Sequence, residues 1–190
     1  MYKKFTLCAL AIALISFNAC KPAKPVDDDD NDPAPGMIRL DLSLHKTIGG
    51  KDATTGLPVT IDVPDTTHRV WGIAMLSTGE LHVFVGKGFN LTINVADETM
   101  EKKKSDIAGD DVDKFQSWVT QDSNAIVYKT QMAQEEFHFY AIIKKGGHTY
   151  YVKEQRQGDD GTVFYYNQAN VQLMLQAAKT ITPLPVKNPS

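Results

Sequence analysis

Apolar and polar residues alternate along several short segments of this chain with a period of two. Such a period places successive side chains on opposite faces of an extended backbone, so each segment predicts a β-strand with one buried face. The segments are residues 38–44, 59–63, 69–76, 80–85, 89–95 and 125–130. Residues 47–57, rich in glycine and threonine, predict a loop, and residues 77–79 predict a hairpin turn.

Residues 136–156 give the clearest hairpin prediction, with a turn centred on residues 145–147. Its apolar face is predicted to carry Phe137, Phe139, Ala141, Ile143, Tyr150 and Val152. The opposite face then carries two tyrosines and two polar side chains, which we call the hairpin patch. These are His138, Tyr140, Tyr151 and Lys153.

Three segments have helical rather than strand character. Residues 96–108 are polar and lysine-rich and predict a weak helix. Asp110 is predicted to cap a second helix that ends near residue 122, because apolar residues recur after it at helical spacing. These residues are Val112, Phe115 and Val119. Asn167 is predicted to cap a C-terminal helix. Its apolar stripe consists of Val171, Met174, Leu175 and Ala178.

About eight strands, with one more predicted at residues 162–166, and two or three helices indicate an α+β fold. Because most strands are joined as neighbouring hairpins, we expect a mostly antiparallel sheet with the helices packed on one face. A partly closed β-barrel with a C-terminal helix is the alternative. A dinucleotide fold is not expected, because strands and helices do not alternate and no glycine-rich phosphate loop is present. The prediction is one domain at residues 37–182, followed by an extended tail at 183–190.

The first twenty residues have the order of a targeting signal: two lysines, an uncharged and mostly apolar run at 5–17, then small or polar residues before Cys20. The run is too short to cross a hydrocarbon core of about 30 Å as a helix. This order resembles a bacterial lipoprotein signal, although Phe17 stands where the lipobox usually has leucine. The resemblance implies that residues 1–19 are removed and that Cys20 carries lipid. An ordinary secretory signal cut after Ala19 is the alternative.

Residues 20–36 are predicted to form a disordered tether, because proline and aspartate leave almost nothing to bury. The four aspartates at 27–30 resemble the export signal of Bacteroidota lipoproteins displayed on the outer face of the outer membrane. That resemblance implies a lipid-anchored outer-membrane protein at the cell surface, with a periplasm-facing lipoprotein as the alternative. Asp65 and the two threonines after it resemble the O-glycosylation motif of the same bacteria, which makes Thr66 a candidate site.

Charge argues against nucleic acid as a partner. The chain has 20 basic and 23 acidic side chains, and removal of two signal lysines makes it more acidic still. The lysines at 102–104 are flanked by acidic residues, as on a solvated helix face. Cys20 is the one cysteine beyond the signal, so no internal disulfide is expected.

Catalytic and metal-binding motifs are absent from the sequence. The five histidines show no zinc-binding spacing, and three of them occupy strand positions that predict solvent exposure: His45, His82 and His138. There is no nucleophile-elbow serine, and the paired acids at 110–111 and 159–160 lie in predicted turns. We therefore predict no catalytic residue, no metal and no cofactor, and do not favour an enzyme.

The hairpin patch is the candidate surface for a ligand or protein partner, since tyrosine supplies contact area and a hydroxyl at low entropic cost. The alternative is that the C-terminal helix or another sheet covers it. Three functions follow. The first is an anchored binding or accessory module for a nutrient, glycan or protein partner. The second is an inhibitor or immunity-type lipoprotein that occludes a toxin or hydrolase. The third is a small hydrolase whose site is assembled from scattered residues.

Overall fold

The computed structural model describes residues 36–46, 52–54, 57–76, 78–95, 97–131, 134–158 and 161–185, with side chains undescribed at 44–46 and 52–54. The strands are β1 (Met37–Asp41), β2 (Leu44–Lys46), β3 (Asp52–Thr54), β4 (Val59–Pro64), β5 (Trp71–Met75), β6 (Leu81–Val85), β7 (Phe89–Val95), β8 (Lys114–Gln121), β9 (Ala125–Gln131), β10 (Glu135–Lys145), β11 (His148–Glu154) and β12 (Thr182–Pro183). The helices are α1 (Met100–Ala108) and α2 (Gln168–Lys179). The predicted signal, Cys20 and nearly all of the predicted tether lie outside the described residues.

The main sheet has seven antiparallel strands in the order β5-β6-β7-β11-β10-β9-β8. Smaller sheets have the order β1-β4-β12 and β2-β3. The predicted α+β class with mostly antiparallel strands is therefore confirmed. Strands β5 and β8 lie at opposite edges of the main sheet, so the described part of the chain contains no closed barrel.

The larger core lies between one face of the main sheet, α2 and β4. The apolar face of the 136–156 hairpin contributes to it as predicted, since Ala141 pairs with Val152 and Ile143 with Tyr150. Helix α2 begins where expected, because the Asn167 side chain accepts a hydrogen bond from the backbone N–H of Asn170 at 2.9 Å. The predicted stripe of α2 is buried in this core.

The smaller core lies on the opposite face of the main sheet, under α1. After β7 the chain crosses the width of three strands to reach the far edge at β8, and α1 lies in this crossing. Two apolar side chains of α1, Met100 and Ile107, join sheet residues in the smaller core. The expectation that the helices share one face of the sheet is therefore wrong, because α2 packs in the other core.

The predicted helix after Asp110 is also wrong, since β8 occupies this stretch. Asp110 accepts hydrogen bonds from the backbone N–H groups of Val112 and Asp113, at 2.8 and 3.0 Å, as a helix cap would. The chain then extends, and its pairing with β9 shifts register between Phe115 and Ser117 and again after Trp118. A bulge adds a residue to one strand, so apolar side chains three apart can share a face and imitate helical spacing.

Three shorter segments also differ from expectation. The predicted loop at 47–57 contains β3, and the stretch 162–166 forms one isolated bridge, between Gln157 and Val163, instead of a strand. Residues 182–183 pair with β4, so the ordered chain continues into the predicted tail. Among the described helices, none is long and apolar enough to cross a membrane.

Candidate functional site

The hairpin patch lies on one side of the sheet as predicted, but it is not an open surface. His138 is 2% exposed, Tyr140 4% and Tyr151 6%, while Lys153 is half-buried and pairs with Glu80 at 3.0 Å. The prediction of an exposed recognition face is therefore wrong, as is the solvent-facing position expected for His138. The alternative, in which the tyrosines are covered, is confirmed, but α1 and the residues before it cover them and the C-terminal helix does not, because α2 packs in the larger core.

Both tyrosines form hydrogen bonds with Glu98, which lies just before α1, and so connect the start of this helix to the sheet. The Tyr140 hydroxyl donates to Glu98 Oε2 at 2.5 Å, and the Tyr151 hydroxyl bonds both the N–H and the C=O of Glu98. Lys103 Nζ lies 5.0 Å from the centre of the Tyr140 ring. Burial and the Glu98 carboxylate together raise the pKa of Tyr140 well above its usual range. The tyrosines therefore act as structural anchors.

His138 stands between a hydroxyl and a carboxylate in the interior. Its Nε2 atom lies 2.8 Å from Thr130 Oγ1, and its Nδ1 atom lies 2.8 Å from Glu154 Oε1. Hydroxyl, imidazole and carboxylate occur in the order that serine hydrolases use. However, Thr130 is 2% exposed and lies within β9, so a substrate has no access to the hydroxyl in this structure. The arrangement satisfies buried polar groups and does not form an open active site.

Arg156 connects the buried Glu136 of β10 to the segment before β8. Its guanidinium bonds Glu136 Oε2 at 2.9 Å and the carboxylate of Asp113. Burial acts to lower the pKa of Arg156, but the hydrogen bond to Asp113 and the charges of Asp113, Glu136 and Glu154 together outweigh it, so the pKa is raised. Nearby, burial and the charge of Glu154 raise the pKa of Tyr128. This part of the molecule is held together by paired charges.

A concavity of about 430 Å³ opens at the end of the sheet near the C-terminus of α2. We call it the lysine pocket, and its lining is Asp122, Ser123, Asn124, Ala125, Ile142, Ile143, Lys144, Lys145 and Lys179. Ala125, Ile142 and Ile143 are buried, Ile142 in the smaller core and the other two in the larger core, while the three lysines are exposed. No pattern in the sequence indicates this pocket, since its residues come from three separate segments.

An apolar surface lies at the β5 edge of the main sheet. Val70 is 78% exposed, Trp71 45% and Met75 43%. Tryptophan and methionine are enriched in protein interfaces, so these side chains are a candidate contact surface for a protein partner, next to β2, which packs against β5.

Sequence reasoning missed the interior polar cluster, although one signal was available. Glu154 continues the inward-facing alternation of Tyr150 and Val152, and an acid in such a position must be satisfied when buried. Thr130 carries no comparable signal.

Within the described ranges, no group of three or more His, Cys, Asp or Glu side chains is arranged to hold a metal ion. Thr66 lies in a turn, partly exposed. Comparisons of the chain with protein families, curated proteins and solved structures find no match.

Proposed function

We propose that this protein is a lipid-anchored binding or accessory module, displayed at the outer membrane, that captures a nutrient, glycan or protein partner. The observation that carries the binding role is the contrast between two sites. The imidazole of His138 and the hydroxyl of Thr130, which are the groups with catalytic chemistry, are buried in the interior, whereas the lysine pocket is open to solvent. Small-molecule sites are usually concavities of roughly 300–1,000 Å³ with a few polar groups, and the lysine pocket has a volume of about 430 Å³. This contrast also makes the hydrolase the least favoured of the three functions.

The anchoring role rests on the resemblance of the first twenty residues to a lipoprotein signal. Lipid on Cys20 attaches a domain to a bilayer without a membrane-spanning helix. Stable attachment takes more than one acyl chain, and a diacylglyceryl-cysteine supplies two.

The anchor is tested by Cys20→Ala in the native host. We expect the variant to move from the membrane to the soluble fraction, and mass spectrometry of the wild-type protein to find acylated Cys20 at the mature N-terminus. Cys8→Ala is the matched control, since that cysteine lies within the predicted signal. Membrane-bound wild-type chains that begin at an unmodified Cys20 would contradict the anchor.

Surface display is tested by replacing the aspartates at 27–30 with alanine and treating whole cells with protease. We expect the wild-type protein to be cleaved and the variant to be protected, with lipidation and folding unchanged. Replacement of Lys21 and Lys24, in the same tether, should leave the cleavage as in the wild type. Equal cleavage of all three proteins would show that the aspartates act only as a spacer.

The inhibitor or immunity-type role is the second candidate, and the exposed apolar side chains at β5 favour it. Their occupant would be a segment of the partner protein that covers Trp71 and Met75. A photo-crosslinking residue at position 71 should then capture one defined protein in the host. The same residue at position 119, on the opposite edge of the sheet, is the control. Equal capture at both positions, or none at 71, would exclude this role for β5.

A further inference from the structure

We infer that the lysine pocket binds a small organic anion, a sugar- or chain-sized molecule that carries a carboxylate or phosphate group. This inference rests on the proposed binding function and names the ligand class for it. Three observations carry it: the charge of the lining, the bonding of the individual lysines, and the volume of the concavity.

The lining is positive on a chain that is acidic as a whole. The lining contains three lysines and one acid, Asp122, whereas the complete chain has a formal net charge of −3. Asp122 is also engaged locally, because its Oδ1 atom accepts hydrogen bonds from the backbone N–H groups of Asn124 and Ala125 at 2.7 and 2.5 Å. The excess of ammonium groups raises the local concentration of anions, an effect that screening by salt weakens.

Two of the lysines have a structural role in addition. Lys145 Nζ donates to the backbone carbonyl of Lys179 at 3.4 Å, and Lys179 Nζ lies 3.8 Å from Asp122 Oδ2. Cations at the C-terminus of α2 also stabilise the helix dipole. Lys144 differs, because its side chain makes no hydrogen bond or ion pair with any residue in the described ranges. We therefore assign Lys144 as the principal charge partner of the ligand and Lys179 as the second.

The volume of the concavity limits what the rest of the ligand can be. The volume of about 430 Å³ is within the range of small-molecule sites, roughly 300–1,000 Å³. A simple inorganic anion would fill little of it.

The test is calorimetric titration of the full mature protein in non-ionic detergent with three probes. Glucuronate carries a carboxylate, glucose 6-phosphate carries a phosphate, and glucose is the neutral counterpart of both. We expect at least one of the two anions to bind about tenfold or more tightly than glucose, with an affinity that falls as salt is added. Comparison of the two anions identifies which charged group is preferred.

The variants assign the binding to the pocket. Lys144→Gln and Lys179→Gln should each weaken anion binding about tenfold, since each removes one charge partner. Lys87→Gln, which removes an exposed lysine from the turn between β6 and β7, is the matched control and should bind as the wild type does. Circular dichroism verifies that every variant is folded.

Three results would overturn the inference: no binding of either anion, equal binding of glucose and the anions, or an equal loss in Lys87→Gln. Each is distinguishable from failure of the proposed anchor, because titration does not depend on where the protein resides. A pocket that binds no anion would leave the Cys20 fractionation result untouched.

Discussion

His138 Nδ1 and Glu154 Oε1 lie 2.8 Å apart in the interior, at the point where two strands separate. β11 pairs with β10 as far as Lys153 opposite Tyr140, and Glu154 is the last residue of β11. Its second carboxylate oxygen accepts the backbone N–H of Phe139 at 2.9 Å, in place of the strand partner that is no longer present. One side chain thus satisfies both a buried imidazole and a buried backbone donor.

Glu154→Ala should destabilise the protein by about 2–5 kcal/mol, because it leaves two buried groups without an acceptor. Glu154→Gln should cost less, since its amide oxygen can still accept one of the two hydrogen bonds. Urea unfolding followed by tryptophan fluorescence measures both. Lys153→Ala, which breaks a partly exposed pair with Glu80, should cost no more than about 1 kcal/mol. A Glu154→Ala variant as stable as Lys153→Ala would contradict the structural role of the carboxylate.

Tyr140→Phe should loosen α1 without opening a cavity, since it removes only the hydroxyl that donates to Glu98. A hydrogen bond to a charged group contributes about 1.5–3 kcal/mol, and we expect a loss of that order. Hydrogen exchange should show faster opening of the α1 amides, while α2 is unaffected. Tyr165→Phe, on a side chain that is 53% exposed, is the control. Unchanged exchange in α1 would mean that Tyr140 does not hold the helix.

Substitutions at the two glycines in the turn between β10 and β11 distinguish the cost of a strained backbone from the cost of a steric clash. Both have positive φ, 60° at Gly146 and 77° at Gly147. A Cβ atom at Gly146 would lie 2.7 Å from Cγ of Pro183, whereas one at Gly147 would meet nothing within 4 Å. Gly147→Ala should therefore cost about 1–2 kcal/mol from the left-handed backbone alone. Gly146→Ala should cost more in thermal unfolding, because β12 must also shift, and equal costs would contradict the contact with Pro183.

Acid should destabilise the fold partly through Asp110. The backbone N–H groups of Asp113 and Val112 lower the pKa of Asp110 in the folded state below its unfolded value of about 3.9. The folded state then binds fewer protons, so the stabilisation is present above about pH 4 and is lost as the pH falls further. Asp110→Asn retains the acceptor oxygen but does not titrate. Urea unfolding between about pH 2.5 and 6 should therefore depend less steeply on pH in this variant than in Asp111→Asn, the exposed neighbouring control.

Local pattern was sufficient for much of the secondary structure. Alternation predicted the strands of the main sheet other than β8, and a two-glycine turn predicted which side chains of β10 and β11 share a face. Asn167 was a sufficient signal for the start of α2. These features depend on residues close together in the chain, whose spacing directly encodes the period and the cap.

Tertiary structure alone decided which surfaces are open. The sequence predicted that Tyr140 and Tyr151 share a face, and this is so, but it could not show that α1 lies across that face. The crossing follows from pairing β11 with β7, a contact between distant segments that no local period records. The bulges in β8 and the lysine pocket have the same origin, because each depends on the alignment of separate segments. Sequence spacing therefore determined α2 and the strands of the main sheet other than β8, and long-range packing determined what they cover.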